Sequence, residues 1–224
     1  MVEPSPMPRA FVASAETEAA RYALLRRLAP SMRHHLVVNL QPIGMIYEVM
    51  ERRLRAAEPD LAQVQDSATK INGFARAALA SCLDVVSWLA PDDTVATGVE
   101  DAVRECAALL ATSLSFRGYA LRNEAQPLPG KIRRAAIRSL LTGVLLHCTD
   151  EKTSPSDLVL GTAGEEGGAL LTVTVRPTDG DKGMAPDANY RKITWADLQA
   201  LAAADDVQLA RQGEQFLLRF PWVA

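Results

Sequence analysis

An apolar repeat within residues 14–55 constrains this part of the chain to a long helix. Its members recur at spacings of three and four, the period of one helical face: Leu25, Leu28, Met32, Leu36, Leu40, Ile43, Tyr47, Met50 and Leu54. At 100° per residue they fall within a stripe about 100–120° wide. Pro42 is expected to kink a continuing helix. Pro30 leaves open whether a new helix begins there after a short first one.

A short turn, Glu58-Pro59-Asp60, separates this helix from a second one, with Asp60 as its N-cap and Pro91 as its stop. The second helix has its own apolar repeat: Leu61, Val64, Ala68, Ile71, Ala75, Leu79, Cys82, Val86 and Leu89. Because the connection is short, the two helices are predicted to be antiparallel neighbours. A lone hairpin leaves half of each stripe uncovered. We therefore expect residues 14–92 to be a dimerisation domain, in which two hairpins form a four-helix bundle.

Residues 97–224 have a different pattern, in which helices alternate with short strands. Thr97 and Glu100 fit a capping box that opens a helix to about Phe116, with Gly118 at its end. Further helices are predicted at 131–147 and 194–204, and strands at 119–123, 158–161, 170–175, 207–210 and 216–220, with an irregular stretch at 176–189. This order predicts an α+β protein, in which the hairpin precedes an α/β sandwich with helices on one face of the sheet.

Composition excludes several classes of function. The formal net charge is −3 and there is no basic stripe, so neither nucleic acid nor an anionic membrane is an expected partner. No apolar run is long enough to span a bilayer. Residues 1–13 are rich in proline and lack an apolar core, which predicts a disordered lead-in and not a signal peptide. The three cysteines are isolated, as expected for free thiols in a reducing cytoplasm.

The element order and the residues at 34–43 resemble the core of a histidine kinase. Kinases of this family carry His-Glu-Leu-Arg-Thr-Pro-Leu-x-x-Ile, and residues 34–43 read His-His-Leu-Val-Val-Asn-Leu-Gln-Pro-Ile, which keeps His, Leu, Leu and Ile in register. Three later segments resemble parts of the family's GHKL-type ATP-binding domain: 99–123 its first helix and strand, 136–148 its N-box helix, and 213–220 its closing strand. The resemblance implies a phosphoacceptor hairpin followed by an ATPase-like domain, with His34 as the phosphoacceptor.

Three departures from the family pattern imply that ATP binding has been lost. The N-box asparagine that holds Mg²⁺ falls at Gly143, which has no side chain. The Asp-x-Gly-x-Gly box is matched only by the degenerate segment from Asp179 to Gly183, with its first glycine displaced. The glycine-rich lid has no counterpart before the last helix. A triphosphate needs backbone N–H groups, a metal and cations, so no cofactor is expected.

This combination resembles most closely the kinase-like histidine phosphotransferases of bacterial phosphorelays. The resemblance implies a cytoplasmic homodimer that passes phosphate between the aspartates of response regulator receiver domains, which supply the Mg²⁺. Two alternatives remain: a non-catalytic pseudokinase that docks on a kinase or response regulator and controls it, and a divergent autokinase. The residue after His34 is His35, where active kinases usually have an acid, and whether His35 assists His34 is left open.

Helical geometry places His34 on the open face of its helix, about 160° from Leu36 at the centre of the apolar stripe. An apolar surface around it, which we call the docking patch, is predicted to receive the partner: Val37, Val38, Gln41 and Met45. The alternative is that this patch packs against a first short helix folded back at Pro30.

No metal site is expected. His34 and His35 diverge by about 100° on a helix, and neither has a cysteine or acid at ligand spacing, so a site shared with His147 is not favoured. The cysteines lie on apolar helical stripes, which predicts that Cys82, Cys106 and Cys148 belong to the core.

Overall fold

The computed structural model describes residues 14–184 and 190–223. The predicted lead-in at 1–13 lies outside the described residues. The helices are α1 (Ala15–Leu54), α2 (Leu61–Leu89), α3 (Val99–Phe116), α4 (Arg134–Glu151) and α5 (Trp195–Ala204). The strands are β1 (Ala96–Gly98), β2 (Tyr119–Asn123), β3 (Lys131–Arg133), β4 (Ser156–Glu165), β5 (Gly168–Pro177), β6 (Gln208–Gln212) and β7 (Gln215–Pro221). No described helix is both long enough and apolar enough to cross a membrane.

The first two helices form the predicted antiparallel hairpin. α1 runs without interruption through both Pro30 and Pro42, so no new helix begins at Pro30. Asp60 caps α2 as predicted, since its carboxylate accepts the backbone N–H groups of residues 62 and 63 at 3.0 and 3.2 Å. Side-chain hydrogen bonds join the two helices at both ends of the hairpin. The Asn39 amide donates to the Ser81 hydroxyl near one end, and the Arg53 guanidinium donates to the hydroxyl of residue 67 near the other.

Five of the strands form one sheet in the order β2-β4-β5-β7-β6, and β1 and β3 form a separate two-stranded sheet. β2 is parallel to β4, and the other pairs are antiparallel. Along β5 the alternate residues Ala169, Leu171, Val173 and Val175 are buried, the pattern of a sheet covered on one face. α4 lies at the centre of the core and is buried on all sides from Leu140 to Thr149. The α+β fold class, a hairpin followed by an α/β unit, is confirmed.

The amino-terminal half of α1 packs on the α/β unit as well as belonging to the hairpin. α1 has 40 residues and α2 has 29, so α1 extends past its partner. In this extension Ala20, Ala23, Leu24 and Leu28 are buried in the same core as α3, α4 and α5. The Thr17 hydroxyl donates to the carbonyl of Ala200 at 3.3 Å. One long helix therefore joins the two parts of the chain.

Several predicted boundaries are wrong for a shared reason. Thr97 does not cap α3, because it lies in β1, and Gly98 is the N-cap without a side-chain bond. Residues 131–133 are not helical but form β3, which pairs antiparallel with β1. α4 consequently begins at Arg134 and extends to Glu151. Each of these two short strands forms by pairing with the other, and the partners are more than thirty residues apart in the sequence. A pattern of neighbouring residues does not indicate such a pairing.

Candidate functional site

His34 lies on the exposed face of α1, near the middle of the helix. Among the described residues no hydrogen bond reaches its ring, and its nearest aromatic neighbour is His35, with ring centroids 6.2 Å apart. Steps of 100° place residues 37, 38, 41 and 45 within about 60° of His34. Its role as phosphoacceptor stays a prediction.

The docking patch is exposed throughout. Val37, Val38 and Met45 are 45, 51 and 62% exposed, and Gln41 is exposed beside them. The alternative that the patch packs against a folded-back first helix is wrong, because α1 is continuous and carries its amino-terminal half away from the patch along the same axis. The arrangement leaves an imidazole surrounded by uncovered apolar side chains.

His35 points toward the interior of the hairpin and is half-buried. It lines a cavity of about 230 Å³ together with Asp84 and Leu109. One turn further, the Asn39 amide donates to the His35 carbonyl at 3.1 Å and to the Ser81 hydroxyl at 3.0 Å. The first bond lies within α1 and the second ties α1 to α2, so the helix that carries the exposed ring is braced five residues from His34.

A second apolar surface of the hairpin is also uncovered; we call it the bundle stripe. It consists of residues at least 45% exposed: Leu40, Tyr47 and Leu54 of α1, and Leu61, Leu79, Leu83, Val86 and Leu89 of α2. On α1 it lies about 120–160° around the helix from His34, at 100° per residue. The prediction that Cys82 belongs to the core is wrong, because this cysteine is exposed beside the stripe.

Gly143, the degenerate N-box position, is buried within α4 and covered by α5. A Cβ atom added there would lie 2.9 Å from Leu198 Cδ2 and 3.9 Å from Leu201 Cδ1. Absence of a side chain therefore allows α5 to pack closely on α4. The space next to this position contains leucine side chains.

The second degenerate segment lies elsewhere. Asp179 is exposed, and Gly183 lies against the end of α3, where an added Cβ would overlap the backbone of Arg117 and Gly118. The N–H of Met184 donates to the carbonyl of Phe116 at 2.9 Å. This loop is therefore attached to the α3–β2 turn, whereas Gly143 contacts α5, and the two positions do not share neighbours.

Sequence reasoning missed a buried arginine at the junction of the hairpin and the α/β unit. Arg138 is 4% exposed and donates to Asp84 and to the Ser87 hydroxyl of α2, each at 2.8 Å. It also donates to Glu105 of α3, and its Cζ lies 4.5 Å from the centroid of the Trp88 ring. An arginine inside the apolar run 135–146 was the available signal, because a buried cation requires partners.

Two ion pairs join the hairpin to the α/β unit. Arg138 of α4 binds Asp84 of α2, whose side chain is 45% exposed, and Arg27 of α1 binds Asp150 of α4 at 2.7 Å in a buried pair. Within the α/β unit, Glu105 of α3 also binds Arg138. Burial raises the pKa of Glu105, but hydrogen bonds from two arginines of α4 outweigh that effect, so the pKa lies below its ordinary value.

Three further titratable side chains of α3 and α4 lie in the core: His147, Cys106 and Cys148. His147 is buried, with Nδ1 2.8 Å from the carbonyl oxygen of Ile193, and so does not share a site with exposed His34. Cys106 and Cys148 are buried as predicted, and burial raises the pKa of Cys148 to about 12. The described residues contain no group of three or more potential metal ligands.

Comparison with solved structures finds histidine kinases and a phosphotransferase. The histidine kinase AdeS of Acinetobacter baumannii is 12% identical over 82% of this chain and 98% of its own, with a TM-score of 0.44. A histidine kinase from Burkholderia phymatum is 13% identical over 95% of this chain and 100% of its own, with a TM-score of 0.44. A bacterial phosphotransferase is 15% identical over 93% of this chain and 98% of its own, with a TM-score of 0.41.

These neighbours belong to the two classes that the sequence resembles. At these identities and scores, the likeness concerns the arrangement of helices and strands and carries no argument about function. No family model matches the chain. No curated protein matches it either.

Proposed function

We propose that this protein is a histidine phosphotransferase of a bacterial two-component phosphorelay, with His34 as the residue that carries phosphate. The observation that supports this most strongly is the position of His34: exposed on a braced helix and surrounded by the exposed docking patch. Uncovered valine and methionine side chains around an imidazole are the features of a surface that receives a protein partner.

The proposed reaction transfers a phosphoryl group from an aspartate of a receiver domain. A neutral imidazole nitrogen of His34 forms a bond to phosphorus while the bond from phosphorus to the aspartate oxygen breaks, and the aspartate leaves as a carboxylate. The reverse reaction passes the group to a second receiver. Mg²⁺ and the acidic residues that hold it belong to the receiver in this proposal, so this chain contributes the nucleophile and its placement.

Loss of nucleotide chemistry is the second part of the proposal. It is supported by the packing at Gly143, where Leu198 occupies the space next to the N-box position, and by the separate location of the Asp179–Gly183 segment. A phosphate site needs backbone N–H groups and cations that converge on one place. We expect incubation with ATP and Mg²⁺ to leave the purified protein unlabelled. Rapid self-phosphorylation on His34 would instead establish the autokinase.

Homodimerisation is the third part, and it is supported by the bundle stripe. The stripe lies beside the buried face of each helix, so a second hairpin placed against it would complete a four-helix bundle. The docking patch lies on a different side of α1 and stays accessible in that arrangement. One dimer would then present two His34 side chains.

A non-catalytic binding module is the competing function, and one observation favours it. No described residue makes a hydrogen bond to the ring of His34, so within that part of the chain no such bond orients the imidazole. In such a module the docking patch binds the partner and His34 has no chemical role.

A transfer assay with phosphorylated receiver domains separates the two functions. The relay predicts that His34→Ala abolishes transfer while leaving the dimer intact, and that the matched control His35→Ala, on the adjacent half-buried position, retains a phosphorylatable His34. Met45→Glu should weaken transfer, because it removes an apolar contact between the docking patch and the receiver domain. It leaves the nucleophile His34 in place. If the His34→Ala variant leaves signalling unchanged, the imidazole has no chemical role. This result would support the binding module and end the relay proposal.

A further inference from the structure

A cavity of about 330 Å³ lies where the hairpin meets the α/β unit. α1 contributes Arg21, Leu25 and Leu28 to its walls, α2 contributes Trp88, and Asp205 follows the end of α5. The volume lies within the range of small-molecule sites, about 300–1,000 Å³. The cavity is therefore large enough for a small organic ligand.

Asp205 is a buried carboxylate without a close partner. The residue is 4% exposed, and no described residue donates a hydrogen bond to its carboxylate oxygens. Its nearest cation is Arg21, whose Nη2 lies 3.9 Å from Oδ1, too far for a hydrogen bond. Arg133 donates to the main-chain oxygen of Asp205 and not to the carboxylate. Burial raises the pKa of Asp205.

Arg21 offsets this carboxylate only in part, because its guanidinium also lies 4.0 Å from the carboxylate of Glu18 and is shared between the two acids. Glu18 and Asp93 lie at its exposed rim and add negative charge. Arg138 also lines the cavity, but its guanidinium is already engaged by two carboxylates, those of α2 and α3. The charge left over is negative, which favours a cation and disfavours an anion.

Part of the lining is apolar. Leu25 is partly exposed and Trp88 is 7% exposed, and the Arg138 guanidinium already lies 4.5 Å from the centroid of the Trp88 ring. A bare metal ion does not suit these walls, since it requires several oxygen or nitrogen ligands. The chemistry of the walls is instead complementary to a molecule with one cationic group and an apolar body.

We propose that this cavity binds a small organic amine, whose ammonium group pairs with Asp205 and whose apolar body packs against Leu25 and Trp88. The walls come from both parts of the chain, so the bound amine stabilises the packing of the hairpin on the α/β unit. This site is distinct from His34 and does not depend on its proposed role.

The test uses the full-length protein and two probes of the same shape. Phenethylamine carries the ammonium group, and 2-phenylethanol replaces it with a neutral hydroxyl. By isothermal titration calorimetry, we expect the amine to bind at least about tenfold more tightly than the alcohol, a ratio that corresponds to about 1.4 kcal/mol. This comparison needs no variant, so it does not depend on the folding of a mutant.

Two variants then assign the carboxylate. Asp205→Asn should reduce binding of the amine to the level of the alcohol, and a melt followed by circular dichroism verifies that this variant folds. Asp206→Asn is the matched control, because Asp206 is adjacent but largely exposed and asparagine tolerates its positive φ of 52°. Asp206→Asn should bind the amine as the unmodified protein does.

The fluorescence of Trp88 gives a second readout. We expect the amine to change the emission of the unmodified protein, and Trp88→Phe to lose that change and to bind the amine more weakly by calorimetry. Equal binding of amine and alcohol, undiminished binding by Asp205→Asn, or no binding of the amine below about 10 mM, would overturn the proposal.

Discussion

Restoring the N-box asparagine at Gly143 should damage this protein instead of reviving nucleotide binding. Gly143→Ala places a Cβ atom 2.9 Å from Leu198 Cδ2, closer than side chains normally approach. Leu198 is fully buried and cannot move aside without displacing its neighbours. Any larger side chain at position 143 must therefore displace the Leu198 side chain within the core or push α5 away from α4.

The size of the effect follows from two opposed contributions. Overpacking a dense core costs about 1–3 kcal/mol, whereas replacing a helical glycine by alanine returns about 1 kcal/mol. Gly143→Ala should thus lower the free energy of unfolding by about 0–2 kcal/mol. Gly143→Asn adds a buried amide without partners, which costs roughly another 1–3 kcal/mol. We expect a loss of about 1–5 kcal/mol for Gly143→Asn.

Urea unfolding followed by circular dichroism measures these losses, at one protein concentration because the proposed dimerisation would make the apparent stability depend on concentration. Gly73 is the matched control, since it is an exposed helical glycine of α2 with no atom within 4 Å of an added Cβ. Gly73→Ala should stabilise by up to about 1 kcal/mol, and Gly73→Asn by less. A thermal melt of Gly143→Asn with ATP and Mg²⁺ should show no stabilisation.

Two results would refute this reasoning. If Gly143→Asn were as stable as Gly73→Asn, Leu198 would not be pressed against position 143. If ATP raised the melting temperature of Gly143→Asn, a nucleotide cavity would exist beside α4 and only the asparagine would be missing.

Three further predictions concern the junction, the dimer and pH. Arg138→Ala should destabilise by about 1.5–3 kcal/mol in urea, since it removes charge-assisted hydrogen bonds to two partly exposed carboxylates. The exposed-pair control Arg104→Ala should cost much less. Leu79→Glu should convert the dimer to a monomer in light scattering after gel filtration, whereas Lys70→Glu, at an exposed position about 180° around α2 from Leu79, should not. The pKa of Asp197 is held at about 2, against an ordinary 3.8, by a hydrogen bond from an arginine. The ionised Asp197 should therefore stabilise the fold fully above pH 4, and this stabilisation should be lost as pH falls toward 2. An asparagine variant should not show this loss of stability between pH 4 and 2.

The hairpin was predictable because its signals are local. Asp60 and Pro91 mark the ends of α2, and the spacing of three and four defines both helices. The same spacing does not say which apolar residues contact each other. On α2 most of the predicted stripe, including Leu79 and Val86, is uncovered, while the contact with α1 uses smaller residues such as Ser67 and Ala78.

The junction was not predictable, because its parts are distant in the sequence. Arg138 is satisfied by residues of α2 and α3, and nothing in its neighbourhood in the sequence indicates them. The pairing of β1 with β3 is of the same kind: Ile132 fits the helical repeat that follows it, and only its partner Thr97 makes it a strand residue. The position of the amino-terminal half of α1 also depends on α5, near the end of the chain.

The placement of His34 was predictable from helical geometry, since Leu36 fixed the buried side and the exposed side followed. Helical geometry alone does not indicate whether His34 accepts a phosphoryl group. The described residues give the ring an open position and a braced helix but no hydrogen bond. The remaining requirements for transfer belong to a partner.

The most direct measurement of the relay is transfer of label from a receiver domain that carries radioactive aspartyl phosphate. We predict that label moves to this protein within the time of mixing, that it is lost in acid and retained in base, as phosphohistidine requires, and that peptide mapping places it on residue 34. Label that stays on the receiver, or that reaches a position other than His34, would contradict the account.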